Sequence, residues 1–215
     1  MALTVLVRAR MFLPALLVSL LALVLAYVGA TTAIVIDLAG RPDQAQRIPY
    51  IEITAVATSI ATAWLLRPRY WEWERLGGTR VRWYSAGTAL VGILLPLLPA
   101  GAGVLRLPED TDPWLVLPMV LLLSALTFTG TALVGVVGGG LLSMTALFAG
   151  AMVLNLQPAA AHVLPISYAT GQGHQSPHLP GWWLVAPLVV LLAMAVHAMT
   201  AGATARSRRL FRNEE

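Results

Sequence analysis

RPRYWEWERLGGTRVRWY, Arg67 to Tyr84, is the one long polar break in a chain that otherwise reads as lipid-soluble. It sets five arginines, two glutamates, three tryptophans and two tyrosines between hydrophobic runs. Charged side chains are costly in hydrocarbon, whereas tryptophan and tyrosine concentrate at the headgroup level, so this stretch reads as lying at a membrane surface. The rest of the chain can be placed relative to it.

Composition supports that placement. Hydrophobic residues make up 58% of the 215 positions and charged residues 11%, against roughly a quarter charged in an average soluble domain. The chain therefore reads as a single transmembrane domain with little mass left for a soluble one. All 14 basic residues other than histidine are arginines. The lack of lysine excludes a Walker A phosphate loop, a Schiff-base lysine and a pyridoxal site within this chain. The lack of cysteine excludes disulfides, thiolate metal sites and c-type haem attachment. The net charge of +4 is clustered beside hydrophobic runs, a pattern of orientation signals and lipid-headgroup contact, not of nucleic-acid binding.

Crossing about 30 Å of hydrocarbon takes roughly 20 mostly apolar residues. Six segments meet or approach that length: Met11 to Ile36, Ile51 to Leu66, Trp83 to Leu105, Trp114 to Val137, Leu141 to Leu156 and Trp182 to Ala205. The first is too long for the apolar core of a signal peptide and reads as a membrane helix. The expected fold is thus an all-α membrane protein with six transmembrane helices. Arginines flank it asymmetrically: Arg8 and Arg10 precede the first span, five lie between the second and third, and Arg206, Arg208, Arg209 and Arg212 follow the sixth. Six spans put these regions on one side, so both termini are expected in the cytoplasm of a bacterial cell, with the chain in the plasma membrane.

Connections carry further expectations. Gly138, Gly139 and Gly140 are expected to form a tight reversal between spans four and five. The apolar, proline-containing segment from Gln157 to Gly181 is expected to be a re-entrant or interfacial outer element. Pro96, Pro99, Pro118 and Pro187 fall inside spans and are expected to kink them.

Few residues suggest chemistry. Thr54, Thr58 and Thr62 on the second span and Ser124, Thr127 and Thr131 on the fourth form hydroxyl stripes at helical spacing. They suit either helix packing or the lining of a substrate path. Glu52 is expected to snorkel to the outer interface. His174 and His178, with His162 upstream, have a spacing that could hold a metal on a helix, but the intervening Pro177 and neighbouring glycines oppose that helix. His197 lies deep in the last span, as a packing residue or as part of the path. A b-type haem needs two facing axial ligands, and His197 alone is deep enough.

Within the central break, Tyr70, Trp71, Glu72, Trp73, Glu74, Arg75 and Leu76 have good helical propensity and interfacial composition. They are expected to form a short helix on the cytoplasmic surface, ended by Gly77 and Gly78. Glu72, Glu74, Arg75, Gly77, Gly78 and Thr79 stand in the order common between spans two and three of the ABC-2 type of ABC transporter permease, and the span layout resembles that family too. The resemblance implies an exporter subunit that catalyses no covalent chemistry and binds no cofactor. It also implies a separate ATPase, carrying ATP and Mg, docked on residues 67–82, and a second copy or related permease as dimer partner. Two other readings stay open: a structural or assembly subunit of a respiratory or secretion complex, and an intramembrane enzyme or metal-handling protein built on the histidines.

Overall fold

A computed structural model describes residues 10–36, 46–68, 79–106, 113–157 and 181–201. In chain order the elements are α1 (Phe12–Gly29), β1 (Ala33–Ile36), β2 (Gln46–Pro49), α2 (Tyr50–Leu65), α3 (Thr79–Leu94), α4 (Leu97–Val104), α5 (Pro113–Val134), α6 (Val136–Leu156) and α7 (Trp182–Thr200). Among the described residues, five helical stretches are long and apolar enough to cross a membrane, with α3 and α4 together counted as one, and α2 is a shorter apolar helix. This is a multi-pass membrane protein.

Residue size is sorted in the reverse of a soluble core. On α1 the buried face is Ala15, Ser19, Ala22 and Ala26, while Leu13, Leu17, Leu21 and Val28 are exposed. Lipid tails are as apolar as leucine, so burying leucine gains little; small residues that let backbones approach gain dispersion contacts instead. Pro14 sits in the first turn of α1, where a missing amide hydrogen costs nothing. The helix packs along α4 and α2.

The first span is shorter than expected. Helix α1 ends at Gly29, and Ala33–Ile36 is a strand paired antiparallel with Gln46–Pro49, Ala33 opposite Pro49 and Ile36 opposite Gln46. A run of β-branched residues, Thr31, Thr32, Ile34, Val35 and Ile36, fits a pleated strand better than a helix. Hydropathy cannot separate the two. Thr32 closes the helix by donating its hydroxyl to the Gly29 carbonyl at 2.7 Å, and its own carbonyl accepts the Tyr50 amide at 3.0 Å. The fold is thus helical apart from this two-stranded ribbon, among the described residues.

The third span is broken in two at Pro96, as expected there, whereas Pro99 lies in the first turn of the helix that follows. Pro96 has no amide hydrogen for the Gly92 carbonyl, and the chain turns at Leu95 and Pro96 between α3 and α4. The Thr62 hydroxyl, lying between Ser59 O at 3.0 Å and Gly92 O at 3.4 Å, covers the orphaned carbonyl from α2. Pro118 and Pro187 lie inside continuous helices. Replacing Thr62 by Val should cost about 1 kcal/mol, because it uncovers that carbonyl. Thr58→Val should cost less, since the Thr58 hydroxyl returns to Thr54 O of its own helix at 2.6 Å. Thermal midpoints of the two purified variants in detergent check the order.

The reversal between spans four and five is not made by Gly138, Gly139 and Gly140. It is made at Gly135, whose φ of 95° and ψ of 169° suit glycine alone. The other three glycines lie inside α6, which starts at Val136 rather than Leu141. Their role is close approach: a Cβ on Gly139 would lie 2.5 Å from Thr127 O and 2.6 Å from Thr131 N of α5. Glycine in a membrane helix marks a packing face more often than a bend.

Phe128 of α5 belongs to an apolar cluster with Ala63, Leu66, Ala89, Ile93, Val190 and Ala193. Its ring occupies the space that a side chain at Gly92 would fill. Helices α3 and α7 therefore both meet that ring of α5, α3 at Gly92 and α7 at His197.

Candidate functional site: the polar interior and the apolar cleft

Each hydroxyl of the two stripes is buried. Thr54 donates to Ile51 O, Thr58 to Thr54 O, Thr127 to Leu123 O and Thr131 to Thr127 O, at 2.6–2.9 Å. Such back-bonding satisfies a hydroxyl within its own helix and leaves the small side chain to pack. Across the α5–α6 contact the Thr127 and Ser143 hydroxyls hydrogen-bond to one another, and Ser143 Oγ lies 3.0 Å from Gly139 O and 3.3 Å from Leu123 O. Ser124 is buried on the same helix as Thr127. The bonded threonines of both stripes thus satisfy their hydroxyls within the bundle, and Ser143 joins Thr127 from a helix that sequence spacing does not single out.

His197 is buried in the last turn of α7. Its Nδ1 lies 3.1 Å from the Ala193 carbonyl, which can only accept, so a hydrogen bond there requires the proton on Nδ1. The ring tilts at 47° against Phe128, with centroids 5.7 Å apart. No group of three histidine, cysteine, aspartate or glutamate residues suited to a metal occurs among the described residues. His162, His174 and His178 lie outside the described residues, as do Tyr70 to Leu76 and nearly all of the segment expected as an outer element.

Glu52 corrects an expectation. It does not reach the interface but is fully buried in the first turn of α2. The cause is local: the ends of α1 and α4 close around that turn, so that a side chain on Gly29 would strike the Tyr50 ring and one on Gly103 would strike Ile51. A carboxylate in a first turn is also favoured by the helix dipole.

Arg10 is the second charged residue that hydropathy assigns to the surface and the structure places inside. It is 1% exposed. Nη2 donates to Ser85 Oγ at 3.1 Å, and the guanidinium lies 5.1 Å from the centre of the Tyr84 ring. Phe12 packs edge-on to the same ring at 6.5 Å. At the other end of α1, Arg106 donates from Nη1 to Tyr27 O at 3.3 Å and lies 4.9 Å over the Tyr27 ring. Arg67 similarly covers Trp64 at 5.3 Å. Only the Arg67 pair has a local sequence signal, an arginine three residues after Trp64; the partners of Arg10 and Arg106 are distant in sequence.

An apolar cleft of about 530 Å³ lies between α5, α6 and α7, lined by Met119, Leu122, Leu126, Leu147, Val153 and Trp182 among others. None of the hydroxyl stripe lines it. No family model, curated protein or solved structure matches the chain. The described residues thus bring together back-bonded hydroxyls, buried charge covered by aromatic and hydroxyl groups, and an apolar recess within a membrane bundle.

Proposed function

We propose that the chain is the membrane-spanning permease subunit of a bacterial ABC-type exporter, working as a dimer with itself or a related permease. ATP and Mg are bound by a separate ATPase that docks on the connection between α2 and α3, and this chain performs no covalent chemistry. The observation that carries the reading is the order Glu72, Glu74, Arg75, Gly77, Gly78, Thr79 in a connection bounded by the end of α2 at Leu65 and the start of α3 at Thr79. On this reading that connection and both termini face the cytoplasm, in keeping with the arginines beside them. The break at Pro96, on the span directly joined to the docking connection, gives a point at which that span can bend.

A structural subunit of a larger membrane complex is favoured by a different observation: the buried hydroxyls are committed to packing and the cleft is apolar. One experiment separates the two. The tagged protein is purified in mild detergent and its companions are identified. An ATPase that accompanies the wild type and is lost from a Glu72→Lys, Glu74→Lys, Arg75→Glu variant supports the exporter. Recovery with redox or secretion subunits makes the chain a scaffold.

A further inference from the structure

We infer that α1 is a strap that holds the broken span α3–α4 at one bend, and that its two arginine fastenings set whether α4 can swing. The observations come from three places in the bundle and do not depend on the exporter reading.

The hinge is covalent in origin. At Leu95 and Pro96 the helical ladder is interrupted; Leu98 N reaches back only to Leu95 O, at 3.1 Å, and Pro96 contributes no donor. Bending there moves two unequal arms. The longer arm, α3, is packed against α7, whereas α4 is packed chiefly on α1, with α2 and α5 beside it. The arm free to move against the α3–α7 body is therefore α4, and a swing of α4 slides it along its main neighbour, α1.

Helix α1 runs alongside this hinge and is fastened beyond it in both directions. Before its first turn, Arg10 grips α3 through Ser85 Oγ and the Tyr84 ring. After its last turns, Arg106, which follows α4, grips α1 through the Tyr27 carbonyl and ring. One continuous helix thus ties the arm before Pro96 to the arm after it. A rod fixed to both arms of a hinge resists any change of angle. With either fastening undone, the rod travels with one arm alone and the hinge is released.

The two fastenings differ in cost of release. Arg10 and Ser85 are buried, so loosening them exposes a cation to hydrocarbon or empties space in the bundle. Arg106 is exposed at the ribbon end and can exchange its contacts with water or a headgroup. The structure assigns Arg106 as the fastening that opens first.

The test uses the natural absence of cysteine, which makes introduced spin labels unambiguous. Labels are placed at Leu105→Cys, beyond α4, and Leu184→Cys, at the start of α7; both positions are exposed, 81% and 73%. Pulsed electron resonance in lipid vesicles reads the distance between them. The parent should give one narrow distribution. Arg106→Gln should add a population displaced by about 5 Å, the swing of an arm about 12 Å long through roughly 25°. Arg10→Gln should do the same. A control pair, Trp83→Cys with Met199→Cys, stays within the α3–α7 body and should not change. A distance between the first pair that is unchanged in Arg106→Gln overturns the strap, and because Arg106 is exposed this holds even where Arg10→Gln fails to fold. Equal broadening of both pairs also overturns it, since that is general loosening of the bundle.

Discussion

Gly139→Leu should destabilise the protein by roughly 3 kcal/mol, the upper part of the range for overpacking a close contact. The reason is what a side chain would meet. The nearest atoms are backbone, Thr127 O and Thr131 N of α5, and Gly130 presents its own bare backbone to Gly139 from the same face. Backbone cannot rotate aside as a flexible side chain can, so α5 and α6 must separate. Separation also breaks the contact between the Thr127 and Ser143 hydroxyls, leaving each only the carbonyl of its own helix. Gly101→Ala makes the matching control. A Cβ there meets nothing within 4 Å, and alanine is the better helix former by about 1 kcal/mol. Thermal midpoints in one detergent should fall clearly for Gly139→Leu and hold or rise for Gly101→Ala; equal midpoints would show that the α5–α6 contact is looser than its geometry.

The second large effect concerns Glu72 and Glu74. On the proposed function, reversing both to lysine should lower ATP turnover by the co-purified complex at least about tenfold, since disrupting charge pairs at a docking surface typically costs more than 1.4 kcal/mol. Insertion and yield should stay near wild type, because these residues lie in a polar stretch outside the apolar runs. The double variant changes the charge and leaves helical propensity nearly constant, since lysine and glutamate have similar values. Turnover that persists at wild-type level, with the variant present in normal amount, removes the docking role from this stretch.

Much of the architecture is legible in the amino-acid sequence, because hydropathy and proline report the same physics that the bundle obeys. The starts of α5 and α7 fall within a residue of Trp114 and Trp182, and Pro96 divides the third span as a missing amide hydrogen requires. What is not legible depends on neighbours. Ile34, Val35 and Ile36 are as apolar in a strand as in a helix, so only their β-branching hints at the ribbon. The glycines at 138–140 suggest a turn because glycine's freedom and glycine's smallness look alike in a sequence; only α5 alongside shows which is in use. Arg10 and Glu52 point to interfaces because a charge beside a span usually lies there. Their burial is set by Tyr84 and Ser85 in one case and by the helix ends around Tyr50 in the other, contacts distant in sequence. Of the candidate site, the threonines, Ser124 and His197 fall within the described residues, and all of them are buried.

The single-residue reversal at Gly135 has a consequence for how the protein is made. Helices α5 and α6 have no loop between them to wait on either side of a membrane, and no ionisable residue occurs from Pro113 to Gln157. Neither helix can be left outside while the other enters, and the pair carries no charge to orient itself. It must therefore enter the bilayer as a closed hairpin, already zipped along Thr127, Gly139 and Ser143, and take its direction from the arginine-flanked helices synthesised before it.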